Sequence, residues 1–121
     1  MIRTQLYSCG YDKRAVITDT ETNIPVQTFE HAEKLTSICP HPDNAHEFLV
    51  GGEHTGIVCW DDRSAKVIRK YQTTFGEVQD LIFHPDNPRQ FISSCTIAKR
   101  NATDKSIVVW DFPTVSTSLN T

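Results

Sequence analysis

The chain repeats itself. His41-Pro42-Asp43-Asn44 returns as His84-Pro85-Asp86-Asn87, about 43 residues later, and Trp60-Asp61 returns as Trp110-Asp111. A fainter copy lies upstream, between Gly10 and Asp19. A period of this length constrains the fold more than any composition statistic. Each unit is one supersecondary module that cannot bury its apolar face alone, so the modules must stack.

Aligning the copies on Asp19, Asp61 and Asp111 brings out three apolar runs just before those residues: Ala15 to Thr18, Ile57 to Trp60 and Ile107 to Trp110. The runs are continuous rather than alternating, which predicts strands buried on both faces. A radial stack of small sheets provides that environment. Seven residues before each aligned Asp stands a turn residue, Asp12, His54 or Asp104. Upstream of the turns lie strands over Leu6 to Cys9, Phe48 to Gly52 and Phe91 to Cys95. Earlier still, Leu35 to Cys39 and Val78 to Phe83 run into the His-Pro-Asp-Asn turns, where proline ends the strand. Ile24 to Phe29, Val67 to Tyr71 and Val115 to Leu119 follow as fourth strands. The predicted units are residues 1–33, lacking a first strand; 34–73, complete; and 74–121, with a loop inserted near 97–105 and a short, truncated last strand.

The two Trp-Asp pairs, the period and the four-stranded meander resemble the WD-repeat β-propeller family, over nearly the whole chain from Leu6 to Phe112. The resemblance implies an all-β fold of four-stranded antiparallel blades. Two and a half to three of them form an incomplete ring. In that family a His, the turn Asp, a strand Ser or Thr and the Trp form a buried hydrogen-bond network. His31, Trp60, Asp61, Asp104, Trp110 and Asp111 fall on the structural positions, with Ser94 as the strand hydroxyl of the third copy. No copy holds the full set: His54 replaces the turn Asp in the second, Thr74 replaces the His in the third, and Thr18 replaces the Trp in the first. The stretches Trp60 to Tyr71 and Asp104 to Phe112 further resemble the branch of the family related to a second-step pre-mRNA splicing factor.

Chemistry is sparse. A net charge of −3 does not suit a groove for phosphate backbones, so no direct nucleic-acid contact is expected. No apolar run approaches the roughly 18 residues that span a bilayer, and Met1 to Gln5 has no signal core, so the expected setting is intracellular and without a membrane. Cys9, Cys39, Cys59 and Cys95 have no close pairing and read as reduced, buried thiols. His41 and His46 stand five residues apart across a Pro-Asp-Asn turn but lack the paired ligands of a structural zinc site, so neither metal nor cofactor is expected. The carboxylates fall at turns and strand ends, and no nucleophile motif or phosphate loop appears, so no enzyme is expected.

The expected function is a non-catalytic scaffold binding protein partners through rim loops or open blade faces. By resemblance the setting is nuclear pre-mRNA processing rather than the cytoplasm. Lys99 and Arg100, in the inserted loop, and Arg63 are the candidate partner contacts. The alternative is a substrate receptor of a cullin-type ubiquitin ligase, docking through Trp60-Asp61-Asp62-Arg63. Too few blades for a ring implies a fragment, or a chain that needs further blades or self-association to cover its open faces.

Overall fold

The computed structural model describes residues 5–53, 56–71, 77–95 and 107–112. Alternating apolar and small residues fold there into ten strands and no helix. The first sheet, blade A, is β1 (Gln5–Cys9), β2 (Arg14–Asp19) and β3 (Ile24–Glu30). Blade B is β4 (Leu35–Pro40), β5 (Glu47–Gly52), β6 (Ile57–Asp61) and β7 (Lys66–Tyr71). Blade C is β8 (Val78–Phe83), β9 (Gln90–Cys95) and β10 (Ile107–Asp111). Every pairing is antiparallel between chain neighbours, so each blade is a meander.

The repeat extends to irregularities. The β2–β3 and β6–β7 pairs slip register at equivalent points, Ile17/Thr18 and Cys59/Trp60. The β4–β5 and β8–β9 pairs do so at Leu35/Ser37 and Val78/Asp80. Bulges of this kind add local twist, and twisted blades can fan about an axis. The outer hairpins also share a left-handed residue just before the last strand, Asn23 (φ 59°) in blade A and Ala65 (φ 55°) in blade B.

Two apolar cores lie between the blades. Tyr7, Ala15, Ile17, Phe29, Leu35, Phe48 and Val50 fill the space between A and B. Leu49, Ile57, Cys59, Tyr71, Val78, Phe83, Phe91, Trp110 and Phe112 fill that between B and C. Strand β5 feeds both, since successive side chains point to opposite faces: Phe48 and Val50 one way, Leu49 the other. Burial on both faces is thus met in the middle blade. It fails in β10, where Trp110 is 2% exposed but Ile107 is 66% and Val109 49% exposed. Among the described residues blade C has a neighbour on one face only. The thiols also divide: Cys59 and Cys95 are buried as expected, while Cys9 and Cys39 are only partly so.

Blade-to-blade contact is close. A Cβ on Gly51 would stand 2.6 Å from Val78 Cγ1 and 2.9 Å from Ser37 Oγ, so β5 can approach β8 only without a side chain there. Thr36 Oγ1 donates to the Val78 carbonyl, and Leu35 N–H donates to the Gly10 carbonyl at 3.1 Å. Phe112 latches C to B: its carbonyl accepts from the Tyr71 hydroxyl, and its ring lies 4.9 Å from the Arg69 guanidinium and 4.7 Å from the His41 ring.

Candidate functional site

A meander presents its connections at two rims. The lower rim carries the His-Pro-Asp-Asn turns and residues 62–65; the upper rim carries residues 10–13, 31–34 and the start of β8.

On the lower rim the turn histidines organise both copies. His41 Nδ1 accepts from the backbone N–H of Asp43 at 3.0 Å and Asn44 at 2.9 Å. His84 Nδ1 accepts from Asp86 at 3.0 Å and Asn87 at 3.1 Å. Each Asn side chain then closes the loop, Asn44 Oδ1 accepting from His46 N–H and Asn87 Oδ1 from Arg89 N–H. In both copies the Nδ1 lone pair gathers the two backbone donors of the turn. His46 and Asp62 pair at 3.0 Å, and Gln27 from blade A donates to the Asp62 carbonyl at 2.9 Å.

The residues singled out in the sequence divide into linked and local groups. Trp60 Nε1–H donates to His31 Nε2 at 3.1 Å, tying the A–B connection to β6. Burial lowers the pKa of His31 against the opposing pull of Glu33 and Glu30. Trp110 Nε1–H donates at 2.9 Å to Ser93 Oγ, not to the expected Ser94. The strand alternation explains the correction: Phe91, Ser93 and Cys95 point inward on the side of Trp110, and Ser94 points the other way. Asp61 Oδ1 accepts from Arg63 N–H at 3.0 Å and pairs with Arg63 Nε at 3.5 Å, so Asp61 anchors its own turn. The Arg63 side chain is exposed on the lower rim. Asp111 closes β10 opposite Gln90. Asp104, Lys99 and Arg100, with His54, Thr74 and the Val115 to Leu119 strand, lie outside the described residues.

In the B–C core, Arg69 Nη1 donates to Glu47 Oε1 at 3.1 Å. Desolvation, and then the Glu47 charge, push the neighbouring Cys59 thiol up to about 12, which leaves it inert as a nucleophile. Among the described residues no three His, Cys, Asp or Glu side chains gather as metal ligands.

The upper rim carries a feature no motif announced. Residues of all three blades converge around a cavity of about 330 Å³: Cys9, Gly10 and Tyr11 of A, Leu35 and Thr36 of B, and Glu77, Val78 and Gln79 of C. Sequence alone could not find it, because its lining comes from segments more than sixty residues apart.

The family model for the WD domain, G-beta repeat (WD40), matches residues 23–61 and 65–111. The chain is 31% identical over 112 residues to mouse WD repeat-containing protein 25, covering 93% of this chain and 21% of that protein. It is 30% identical over 111 residues to human Pre-mRNA-processing factor 17, covering 90% of this chain and 18% of that one. The chain thus spans about a fifth of the length of the curated relatives it matches. Among solved structures, the β-propeller domain of Myceliophteria thermophila Cps50 (Swd1) superposes with a TM-score of 0.73 at 21% identity, over 93% of this chain and 33% of that one.

Proposed function

Since the chain belongs to the WD40 family of WD-domain, G-beta repeats, we propose that it is a non-catalytic scaffold segment that holds protein partners through its rim loops, within a nuclear pre-mRNA-processing assembly. The observation that carries this reading is the frame itself. Three blades, locked by two apolar cores and by cross-blade bonds such as Thr36 to Val78 and Tyr71 to Phe112, hold loops of different chemistry in fixed relation. Loops on a rigid scaffold are where recognition resides. The likeness to human Pre-mRNA-processing factor 17 supports the setting. Leu6, Ile24 and Val26 of blade A and Ile82, Ile107 and Val109 of blade C are exposed. Further blades, or a second copy, would cover them.

The alternative is ligase docking through Trp60-Asp61-Asp62-Arg63. The exposure of Arg63 supports it; the hold of Asp61 on the same guanidinium opposes it. Affinity purification of the tagged full chain from cells separates the two readings. The scaffold reading expects pre-mRNA-processing proteins, retained by Arg63→Ala. Recovery of a cullin adaptor that Arg63→Ala abolishes would move the assignment to the ligase. Recovery of no protein partner would sink both.

A further inference from the structure

We propose that the upper-rim cavity is a receptor for an arginine side chain presented by a partner protein. This rests on the scaffold reading and specifies its partner. The cavity has an acceptor-rich wall. Leu35 and Val78, at 2% and 0% exposure, are packed into the blade interfaces beneath it and fix its shape. Glu77 brings a carboxylate, and among the described residues no cation pairs with it. The Thr36 hydroxyl proton is committed to backbone carbonyls of Gly51 and Val78, which leaves its oxygen as an acceptor. The wall therefore offers negative charge and lone pairs and asks for a donor-only group.

Tyr11 gives the second, independent observation. Its ring is 64% exposed, and Lys34 Nζ from the next blade sits 5.3 Å from its centroid. An exposed aromatic face within cation–π range of a lysine of its own chain has the geometry that suits a cation. Guanidinium suits the set better than ammonium, since it is planar, stacks on an aromatic face, and presents a fork that matches a carboxylate. A volume of about 330 Å³ is at the small end of ligand sites and fits one long side chain rather than a cofactor.

The probe is a fluorescein-labelled alanine pentapeptide with a central arginine, titrated with the full chain by fluorescence polarisation at low salt. Its central-lysine and all-alanine versions serve as the other arms. We expect the arginine peptide to bind, the lysine peptide to bind more weakly, and the alanine peptide not to bind. Glu77→Gln should weaken the arginine peptide about tenfold or more, the range of a lost charge-assisted bond. Tyr11→Ala should weaken it about threefold and Tyr11→Phe leave it unchanged, as a contact with the ring face requires. Lys34→Ala should tighten binding by about twofold, because it vacates the ring and removes a like charge. A destabilised variant cannot mimic that gain, and far-ultraviolet circular dichroism checks that each variant folds. Equal binding of the arginine and alanine peptides, or an unchanged Glu77→Gln, overturns the proposal. That result would leave the scaffold reading standing with another partner chemistry. Failure to recover any protein partner from cells would instead remove the scaffold reading, whatever the peptides do.

Discussion

The indole of Trp60 donates its N–H to His31 Nε2 at 3.1 Å, and Trp110, its repeat equivalent, donates to Ser93 Oγ at 2.9 Å. One tryptophan therefore leans on a titratable acceptor and the other on a neutral one. The same repeat position has two different sensitivities to pH.

His31 can accept from Trp60 only while Nε2 is unprotonated. Burial lowers its pKa in the fold, below the roughly 6.5 of an unfolded histidine. The unfolded chain therefore takes up the proton first as pH falls, and stability declines from about pH 6.5 downward until the folded pKa is passed. Above about pH 6.5 the contribution is complete. Urea melts between about pH 7.5 and 5 should show this slope. His31→Gln keeps an acceptor for Trp60 but does not titrate, so its slope should be shallower. His41 and His84 accept at Nδ1 and are present in both proteins, so the difference isolates His31. Identical slopes would refute the assignment.

Trp110 and Ser93 form a buried pair, and each is the partner the other was built against. Trp110→Phe leaves the hydroxyl unpaired, and Ser93→Ala leaves the indole N–H unpaired; each should cost about 1–3 kcal/mol. Removing both should cost less than the sum, and a double-mutant cycle by urea denaturation measures the coupling. Additive costs would mean that the bond contributes nothing. Ser94→Ala, on the other face, should be near neutral by comparison.

That pair also marks how far the residues could be read in advance. The period and the three meanders followed from spacing, because stacking demands that each unit repeat its apolar pattern, whereas the His31 position was implied by the family resemblance. Ser93 was legible too. The inward set Phe91, Ser93 and Cys95 follows from a period of two, whereas matching by family position alone selects its neighbour. The turn histidines recur in the repeated phrase, yet the atom that does the work is not visible in a sequence. Only coordinates show Nδ1 accepting two backbone donors at both turns. The exposure of Ile107 and Val109 depends on whether another blade lies beyond β10, which no feature of β10 itself can report. The cavity beneath Tyr11 and Glu77 is a product of three-blade convergence, a long-range relation with no local signature.

Gly51 is a point of close approach between blades B and C. An added methyl would meet Val78 Cγ1 at 2.6 Å and Val78 Cβ at 2.8 Å. Gly51→Ala should destabilise by about 1–3 kcal/mol, the usual cost of overpacking a filled interior. Val78→Ala on its own opens a void where a fully buried side chain stood and should also destabilise. Combined, the Val78 Cγ1 contact is gone while the Cβ contact at 2.8 Å stays, so the double variant should recover part of the loss and be more stable than the two single costs predict. Thermal melts of the four proteins decide it. A double variant with fully additive losses would show that Val78 Cγ1 is not what excludes a side chain at Gly51.

Ala65 holds φ at 55°, in the left-handed region where a Cβ meets the following carbonyl. Its equivalent in blade A is Asn23, at φ 59° just before β3, as Ala65 stands just before β7. The backbone path of the outer hairpin therefore demands this conformation in both copies, and blade B meets it with a residue poorly suited to it. Asparagine tolerates the region better, and glycine occupies it freely but with more entropy to lose. Ala65→Asn and Ala65→Gly should each stabilise the chain, by about 0.5–1 kcal/mol. Ala65 is exposed, so neither change disturbs the core. Asn23→Ala is the reciprocal variant and should destabilise by a similar amount. A rise in melting temperature for both Ala65 variants with a fall for Asn23→Ala would establish that the strain is set by hairpin geometry. A loss of stability in Ala65→Gly would instead mean that the turn relaxes out of the left-handed region in solution, and that the two outer hairpins do not share one backbone path.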